Sequence, residues 1–367
     1  MVLDQQEAIK RPFFSIVISC YNSRKTLGPL LESIAMQNIN DDIEVIISDD
    51  CSTESYEDII QSFEGTFPIK RVSTEYNYCP SNTREAGAQV ATGQWLTFSD
   101  HDDVFLKDSL NFLRDKMKQL PEKYCYYTGF YELSEDYKIL RDHPAKQSGG
   151  WTHGKFYNLD NLWKAYDIHY KKDLTSHEDV YINCKIKCIV DSIHNKGENA
   201  ITYIDDIHTY GWIQRPESES HKKIEGGYCF LEKYFIDYIE ATDGVYFESY
   251  YNHLIDYNRL KEYLLDSLAI LYFYDQSFTF YDPQIDKNKN HIYLRNFIQK
   301  IKNELSVNNK IIWHHVTFDR CYAYRQAYEK SYTAIGNIVP YQSFGDWLKY
   351  ICPDDSEIPI SPYYYKK

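Results

Sequence analysis

Three carboxylates within four residues form the densest group of chemically useful side chains in the sequence. Asp100, Asp102 and Asp103 follow directly after an apolar, β-prone run at residues 95–98. Carboxylates repel one another at close range, so this crowding is unfavourable unless a cation neutralises it. Oxygen ligands favour Mg²⁺ or Mn²⁺, which keep coordination positions open for phosphate groups. The alternative is an acidic turn that caps a helix starting at residues 104–106.

The acidic group lies at the end of one of four predicted strands. Apolar runs predict strands at residues 13–20, 43–48 and 95–98, and a short third strand is predicted at 69–73. Segments with helical apolar spacing separate them, and Ser52 or Thr53 is the predicted N-cap of the second helix. This alternation predicts an α/β fold with a mainly parallel sheet flanked by helices. Ligands bind such sheets at the carboxyl ends of the strands, where Tyr21, Asp50 and the three carboxylates would share one edge.

The sequence lacks the glycine-rich loops that commonly bind phosphates. No GxGxxG follows the first strand, and no GxxxxGK[ST] occurs anywhere in the chain. A dinucleotide-binding site or a P-loop is therefore not expected. A diphosphate would have to be neutralised in another way, and a metal held by carboxylates can do this.

Composition limits the classes of function. The 367 residues suggest two domains, and the hydrophobic and charged contents of 43% and 26% are those of a globular protein. A net charge of −14 argues against a protein that coats nucleic acid non-specifically. The segment 287–330 differs, with nine Lys or Arg against three acidic residues. It could be a docking face for an anionic acceptor or an ordinary solvated helix face.

The nine cysteines favour a reducing cytoplasm as the location. They are odd in number and include no CxxC pair, and Cys20 and Cys51 follow apolar strands as buried thiols would. Residues 1–10 lack the apolar core of a signal peptide, and no run approaches the 18 apolar residues of a membrane span. Peripheral association with a membrane, or the host cytoplasm for a phage-encoded enzyme, stays open.

Seven segments, in order along the chain, carry a resemblance to a known family. They are Ser19-Cys20-Tyr21-Asn22, Asp49-Asp50-Cys51-Ser52-Thr53, Asn82-Thr83-Arg84-Glu85-Ala86-Gly87 with Ala91-Thr92-Gly93, Asp100-His101-Asp102, His153-Gly154-Lys155-Phe156-Tyr157, His177-Glu178-Asp179, and residues 203 to 212. Together they resemble the family 2 glycosyltransferases with the GT-A fold, over about residues 13 to 215. The sequence departs from the family at Glu85, where an Asn is usual.

The resemblance implies a role for each matched residue. Asp100 and Asp102 would hold Mn²⁺ or Mg²⁺, and Asp179 would be the general base of an inverting transfer. The residues that would bind the nucleotide sugar are Ser19, Tyr21, Asn22, Asp50, Arg84, Asp100 and His101. Each also has a structural alternative, since Tyr21 could simply pack, Arg84 could be solvated and Asp179 could only cap its helix. Of His153, His177 and His208, at most one is expected near the metal or phosphate.

The predicted domains are a GT-A nucleotide-sugar-binding catalytic domain at residues 1–215 and a helical domain at 216–367 that selects the acceptor. The resemblance implies a metal-dependent inverting glycosyltransferase that uses a nucleotide-diphosphate sugar, with UDP as the expected nucleotide. The acceptor would be a hydroxyl on a surface or lipid-linked glycan. Two alternatives remain, a phage-type enzyme that glycosylates hydroxymethylated DNA bases and a non-catalytic sugar-nucleotide-binding protein. The sequence does not indicate an oligomeric state.

Overall fold

A computed structural model describes residues 11–76, 79–147, 150–174, 176–215, 231–281, 287–314 and 344–353. The chain divides into two compact units, Met1–Ser218 and Glu219–Lys367. This division lies close to the boundary predicted after residue 215. The roles assigned to the two parts stay predictions.

The first unit is built on one sheet. Its strands are β1 (Phe14–Cys20), β2 (Ile43–Asp49), β3 (Ile69–Ser73), β4 (Trp95–Asp100), β5 (Val104–Phe105), β6 (Cys125–Leu133), β7 (Ile139–His143), β8 (Lys155–Asn158) and β9 (Ile201–Ile213). The order across the sheet is β3-β2-β1-β4-β8-β6-β9-β5, and β7 pairs with β6 outside this path.

The first four strands form the parallel half of the sheet. β1 pairs in parallel with β2 on one side and with β4 on the other, and β3 extends the sheet beyond β2. Every residue of β1 except Ser19 is buried, as its continuous apolar run predicts. Strands and helices alternate through this half, as predicted.

The second half of the sheet is mixed. β8 runs antiparallel to both β4 and β6, β5 runs antiparallel to β9, and β6 and β9 are parallel. The register of β6 against β9 shifts at Gly129, where a Cβ would lie 2.5 Å from the His208 ring. The parallel pairing predicted from the alternation of strands and helices therefore holds for β1 to β4. In the other half of the sheet, strands that are distant in sequence pair in both directions.

Helices cover the sheet of the first unit. They are α1 (Leu27–Ala35), α2 (Glu57–Gln61), α3 (Pro80–Gln89), α4 (Ser109–Met117) and α5 (Glu178–Asn195), with a π-helical turn at Leu159–Lys164. Gly87 lets α3 pack closely against the sheet, because a Cβ there would lie 2.4 Å from Cγ1 of Val17 in β1. This close packing brings the α3 side chains to the carboxyl ends of the strands.

Two local predictions about helix caps are wrong. Ser52 and Thr53 do not cap α2, which begins at Glu57 after Tyr56; Ser52 instead donates its hydroxyl to the Asp49 carboxylate at 2.5 Å. The acidic group does not cap a helix either. Asp103 precedes the short strand β5, and the N-cap of α4 is Asp108.

The second unit is helical in its described residues, as predicted. Its helices are α6 (Leu231–Tyr251), α7 (Tyr257–Tyr281), α8 (Lys287–Leu305), α9 (Asn309–His314) and α10 (Phe344–Ile351). The predicted apolar stripe of α7 is buried at Leu260, Leu264, Leu265 and Leu268. None of the described helices is both long and apolar enough to cross a bilayer. The predicted linker at 217–223 and residues 315–330 of the basic segment lie outside the described residues.

Candidate active site

The carboxyl ends of β1, β2 and β4 lie side by side and form the rim of the site. In the strand register Ser19 stands opposite Asp100, and Cys20 stands opposite Asp49. The Ser19 hydroxyl is enclosed and has no hydrogen-bond partner among the described residues. The predicted donor-binding residues at these three strand ends are thus brought together on one edge.

Tyr21 and Asn22 follow β1 at this rim. The Tyr21 side chain is 44% exposed, so it does not pack into the core. Asn22 has a left-handed backbone (φ 48°), and its Oδ1 accepts hydrogen bonds from the Thr53 N–H at 2.9 Å and the Glu54 N–H at 3.3 Å. The Asn22 side chain therefore fixes the turn that follows β2.

Asp50 is buried directly after β2. One of its oxygens accepts a hydrogen bond from the Thr74 hydroxyl at 2.9 Å. Its backbone N–H donates to the Cys20 carbonyl at 2.8 Å, which ties the ends of the two strands together. Asp50 therefore belongs to the same rim as Tyr21.

Arg84 links the acidic group to the start of α5. Its Nη2 lies 2.6 Å from the Asp100 carboxylate, and its Nη1 forms a short ion pair with Glu178. The Arg84 side chain is only 6% exposed, which rules out the solvated alternative. Burial would raise the pKa of Asp100, but the charge and hydrogen bond of Arg84, together with His153 and His101, hold this pKa below its usual range.

The next two residues of the acidic group have other partners. The Asp102 carboxylate forms an ion pair with Arg215 at 3.0 Å. Burial raises the pKa of Asp102. His101 shares a hydrogen bond of 2.8 Å between its Nδ1 and the Thr26 hydroxyl. Arg215 lies just after β9, so the last strand of the sheet contributes a cation to the site.

Asp100, Asp103 and His153 offer a set of metal ligands. One ligand atom from each lies within 4.8 Å of the other two. Asp103 is buried and accepts hydrogen bonds from the Tyr210 hydroxyl at 2.7 Å and the Ile213 N–H at 2.8 Å. Burial and the neighbouring carboxylates raise its pKa well above the usual range, a strain that a bound cation would relieve.

The chemistry of His153 fits a divalent cation. Its ring is buried and stacks on Tyr210 at 4.7 Å, and its Nδ1 has no hydrogen-bond partner among the described residues. Burial lowers the pKa of His153 to about 4, so the ring is neutral and can act as a ligand at neutral pH. Of the three candidate histidines, His153 lies in the acidic cluster, whereas His208 pairs with Asp142.

Asp179 lies in the first turn of α5, beside Glu178. Burial raises the pKa of its carboxyl to about 7; Glu178 adds to the rise, and Arg84 and Lys155 oppose it. Glu178 forms an ion pair with Arg84, whereas the Asp179 carboxylate lies outside that ion pair. A carboxyl group that titrates near neutral pH is suited to accept a proton during a reaction.

Lys155 and Asn183 attach α5 to β8 and the loop before it. The Lys155 ammonium donates to Asn183 Oδ1 at 2.7 Å, and Asn183 Nδ2 donates to the Trp151 carbonyl at 3.2 Å. Burial lowers the pKa of Lys155 to about 7. These contacts hold the strand after His153 against the helix that carries Asp179.

Sequence reasoning missed two contacts of the site. Arg215 was not singled out, because its partner Asp102 is 113 residues away. Glu85 was recognised only as a departure from the family pattern. In the structure Glu85 accepts hydrogen bonds from the Tyr170 N–H at 2.9 Å and shares one of 2.7 Å with His169. It therefore fixes the loop before α5.

A family model matches the part of the sequence that forms this site. Residues 15–180 match the family model described as glycosyl transferase family 2. The resemblance to glycosyltransferase family 2 is thereby confirmed for this part of the chain. The match begins in β1 and ends at the start of α5, so it contains the rim, Arg84, the acidic group and Asp179.

Similar proteins act in the synthesis or modification of polymers. The chain is 27% identical over 186 residues to the poly(ribitol-phosphate) beta-N-acetylglucosaminyltransferase TarS of Staphylococcus aureus, covering 47% of this chain and 32% of TarS. It is 26% identical over 231 residues to TuaG of Bacillus subtilis, named as a putative teichuronic acid biosynthesis glycosyltransferase, covering 62% and 75% of the two chains. The alignments span about a third of the first curated relatives it matches.

The crystal structure of S. aureus TarS residues 1–349 in complex with UDP-GlcNAc has a similar fold. The TM-score is 0.62 at 20% identity, and the match covers 87% of this chain and 92% of that one. The GT-A-like fold class predicted from the sequence is thus confirmed.

Proposed function

We propose that the protein transfers a sugar from a nucleotide-diphosphate sugar, with UDP as the nucleotide, to a hydroxyl group of a surface or lipid-linked glycan polymer. The observation that carries the proposal is the Arg84 bridge, which joins Asp100 at the end of β4 to Glu178 beside Asp179. A predicted metal ligand and a predicted base thereby share one site.

On the donor side, Tyr21 and Asp50 would bind the nucleotide base, and Ser19 and Asn22 would border the same pocket. Asp100 and Asp102 would hold Mn²⁺ or Mg²⁺, and Asp103 and His153 offer further ligand atoms within 4.8 Å of one on Asp100. The ion would neutralise charge on the diphosphate leaving group. Arg84 would keep Asp100 ionised, and His101 would be oriented by Thr26.

On the acceptor side, Asp179 would take the proton of the acceptor hydroxyl. The acceptor oxygen would form a bond to the anomeric carbon while the bond from that carbon to the diphosphate breaks. The proton would end on Asp179 and the negative charge on the nucleoside diphosphate. A single displacement from the opposite face inverts the anomeric configuration and needs no covalent intermediate.

The names of the relatives support the choice of acceptor. TarS acts on poly(ribitol-phosphate), and TuaG is named for teichuronic acid biosynthesis. Both are polymers, so we propose a polymeric glycan or polyol-phosphate chain as the acceptor class. Seven described cysteines are free thiols, which supports a location in the reducing cytoplasm.

The test is a panel of nucleotide sugars measured for transfer and for thermal stabilisation, with and without Mn²⁺. UDP-GlcNAc is the first donor to measure. A donor at 100 times its Kd should stabilise the fold by about 2.7 kcal/mol. Transfer to a polymer with metal supports the proposal, and no stabilisation by any nucleotide sugar would contradict it.

The DNA alternative has its own test. Binding to DNA should weaken by about one log unit per log unit of salt for each phosphate neutralised. Transfer to a neutral oligosaccharide that does not change with salt would exclude DNA as the required acceptor. A non-catalytic binder would instead bind the donor and show no turnover even with every acceptor supplied.

A further inference from the structure

Two buried tyrosine hydroxyls lie near the base without a visible hydrogen-bond partner. Tyr157 and Tyr170 are both at least 95% buried, and neither hydroxyl has a partner among the described residues. The charge of Asp179 acts on both hydroxyls, and Tyr170 also senses Arg84 and Glu178. Contacts place them there as well, because Lys155, two residues before Tyr157 on β8, donates to Asn183 of the helix that carries Asp179. The Tyr170 N–H donates to Glu85, the neighbour of Arg84.

Two buried hydroxyls without hydrogen-bond partners are unusual and need a physical explanation. A buried hydroxyl without a hydrogen bond loses its hydration and gains nothing in return, so natural proteins rarely keep one. Buried water molecules usually occupy such sites and bond to the polar groups that lack other partners. Arg84 Nε, also buried and without a partner among the described residues, adds a third polar atom in the same region.

The two rings are held firmly in place. Both pack against Phe98 of β4, Tyr170 edge-on with its ring centroid at 5.3 Å and Tyr157 tilted at 6.5 Å. Glu85 fixes the Tyr170 backbone through the N–H hydrogen bond of 2.9 Å. Because Glu85 is where this chain departs from the family pattern, the position of Tyr170 depends on a feature of this chain.

We propose that Tyr157 and Tyr170 are positioning residues for the base, and that their hydroxyls reach Asp179 through buried water. The proposal rests on the proposed role of Asp179. Hydroxyl groups that donate toward a carboxylate stabilise its ionised form and fix its orientation. They would act alongside Arg84 and Lys155, and against the like charge of Glu178.

The test uses Tyr170→Phe and Tyr157→Phe, which keep the rings and remove only the hydroxyls. We expect kcat to fall roughly three- to tenfold, because Asp179 loses part of its support. The acidic limb of the kcat profile should move to higher pH, since fewer donors stabilise the ionised carboxylate. Affinity for UDP, measured by calorimetry, should not change. Tyr126→Phe is the control, because its hydroxyl donates to the Pro121 carbonyl at 2.8 Å, away from the base.

Thermal unfolding of the same variants gives a readout that does not depend on activity. If the hydroxyls are bridged by water, each Phe variant should melt at a lower temperature than the parent, as Tyr126→Phe should. If they are truly unpaired, removing them should raise the melting temperature. A higher melting temperature with an unmoved acidic limb would overturn the inference.

Failure of the inference can be told apart from failure of the proposed function. Asp179→Asn with normal turnover would reject the role of Asp179 itself. An inactive Asp179→Asn combined with stabilised, fully active Tyr157→Phe and Tyr170→Phe would reject only the positioning role.

Discussion

Two carboxylates near Arg84 have opposite electrostatic surroundings. Asp100, at the end of β4, receives the guanidinium at 2.6 Å and has a lowered pKa. Asp179, at the start of α5, has no such contact with it, lies beside Glu178, and has a pKa raised to about 7. At Asp100 the ion pair and the neighbouring histidines together overcome the effect of burial on the pKa, and at Asp179 burial dominates. One is suited to hold permanent charge and the other to exchange a proton.

The largest expected effect is that of replacing Asp179, the carboxylate suited to exchange a proton. Asp179→Asn keeps the size of the side chain but cannot take a proton at neutral pH. Turnover should fall by roughly two to four orders of magnitude, the usual contribution of a general base, while UDP affinity stays nearly unchanged. Steady-state kinetics and calorimetry measure the two quantities.

Glu178→Gln is the matched variant for that prediction. Glu178 is engaged by Arg84, so its loss should cost stability more than turnover. Normal turnover in Asp179→Asn together with an inactive Glu178→Gln would move the base by one residue. Normal turnover in both would remove the main support for an inverting mechanism.

The next effect concerns the bridge itself. Arg84→Met leaves Asp100 and Glu178 without their shared cation. Breaking a buried ion pair costs about 3–5 kcal/mol, and we expect the lower end because Asp100 is 34% exposed. Denaturant unfolding measures this loss. In the control, Arg24→Met breaks a solvent-exposed pair with Asp58 and should cost far less stability. Equal losses of stability in the two variants would mean that the buried Arg84 bridge contributes no more than an exposed ion pair.

The parts of the site that local sequence predicts are those on the parallel half of the sheet. Apolar runs predict β1, β2 and β4, because strands buried on both faces need them. β3 is a short edge strand with no fully buried residue, and its signal is correspondingly weaker. Strand ends of parallel neighbours meet at one edge, so the positions of Ser19, Asp50 and Asp100 follow from the alternation alone. The resemblance adds the order of the motifs, and hence Arg84 and Asp179 as candidates.

The contacts that the sequence does not predict are long-range. Arg84 and Glu178 are 94 residues apart, and Asp102 and Arg215 are 113 apart. No local pattern encodes which strand of the mixed half lies beside which. The burial that raises the pKa of Asp179 likewise depends on packing between distant elements. Sequence therefore suggests the groups, and the fold decides which carboxylate keeps its charge.

A smaller effect concerns which residues hold the metal. Asp102→Ala should lower the Mn²⁺-dependent affinity for UDP by about 10–100-fold or more, since even residues outside the ligand set have effects of that size. His153→Gln should also weaken Mn²⁺ binding if the ring is a ligand. Calorimetry of UDP binding with and without Mn²⁺ measures both changes. His208→Gln is the control, because His208 pairs with Asp142.

Each outcome assigns the ion to a different ligand set. A loss in Asp102→Ala alone would place the ion on Asp100 and Asp102. A loss in His153→Gln alone would favour Asp100, Asp103 and His153. An unchanged response to Mn²⁺ in both variants would mean that the acidic group does not bind the metal.

The smallest effect is the pH dependence of the unmodified protein. A general base works only when ionised, and the pKa of Asp179 lies near 7. Below that pH the carboxyl gains a proton, so kcat should fall about tenfold for each pH unit and level off above it. Asp100 stays ionised over the same range because its pKa is lowered, so its own contribution to donor binding should not follow this limb. An ordinary aspartate, with a pKa of about 3.9, would give a flat profile down to pH 5. Measurement of kcat from pH 5.5 to 8.5 at saturating donor, acceptor and Mn²⁺ therefore tests the contrast between the two carboxylates, and a flat profile would contradict it.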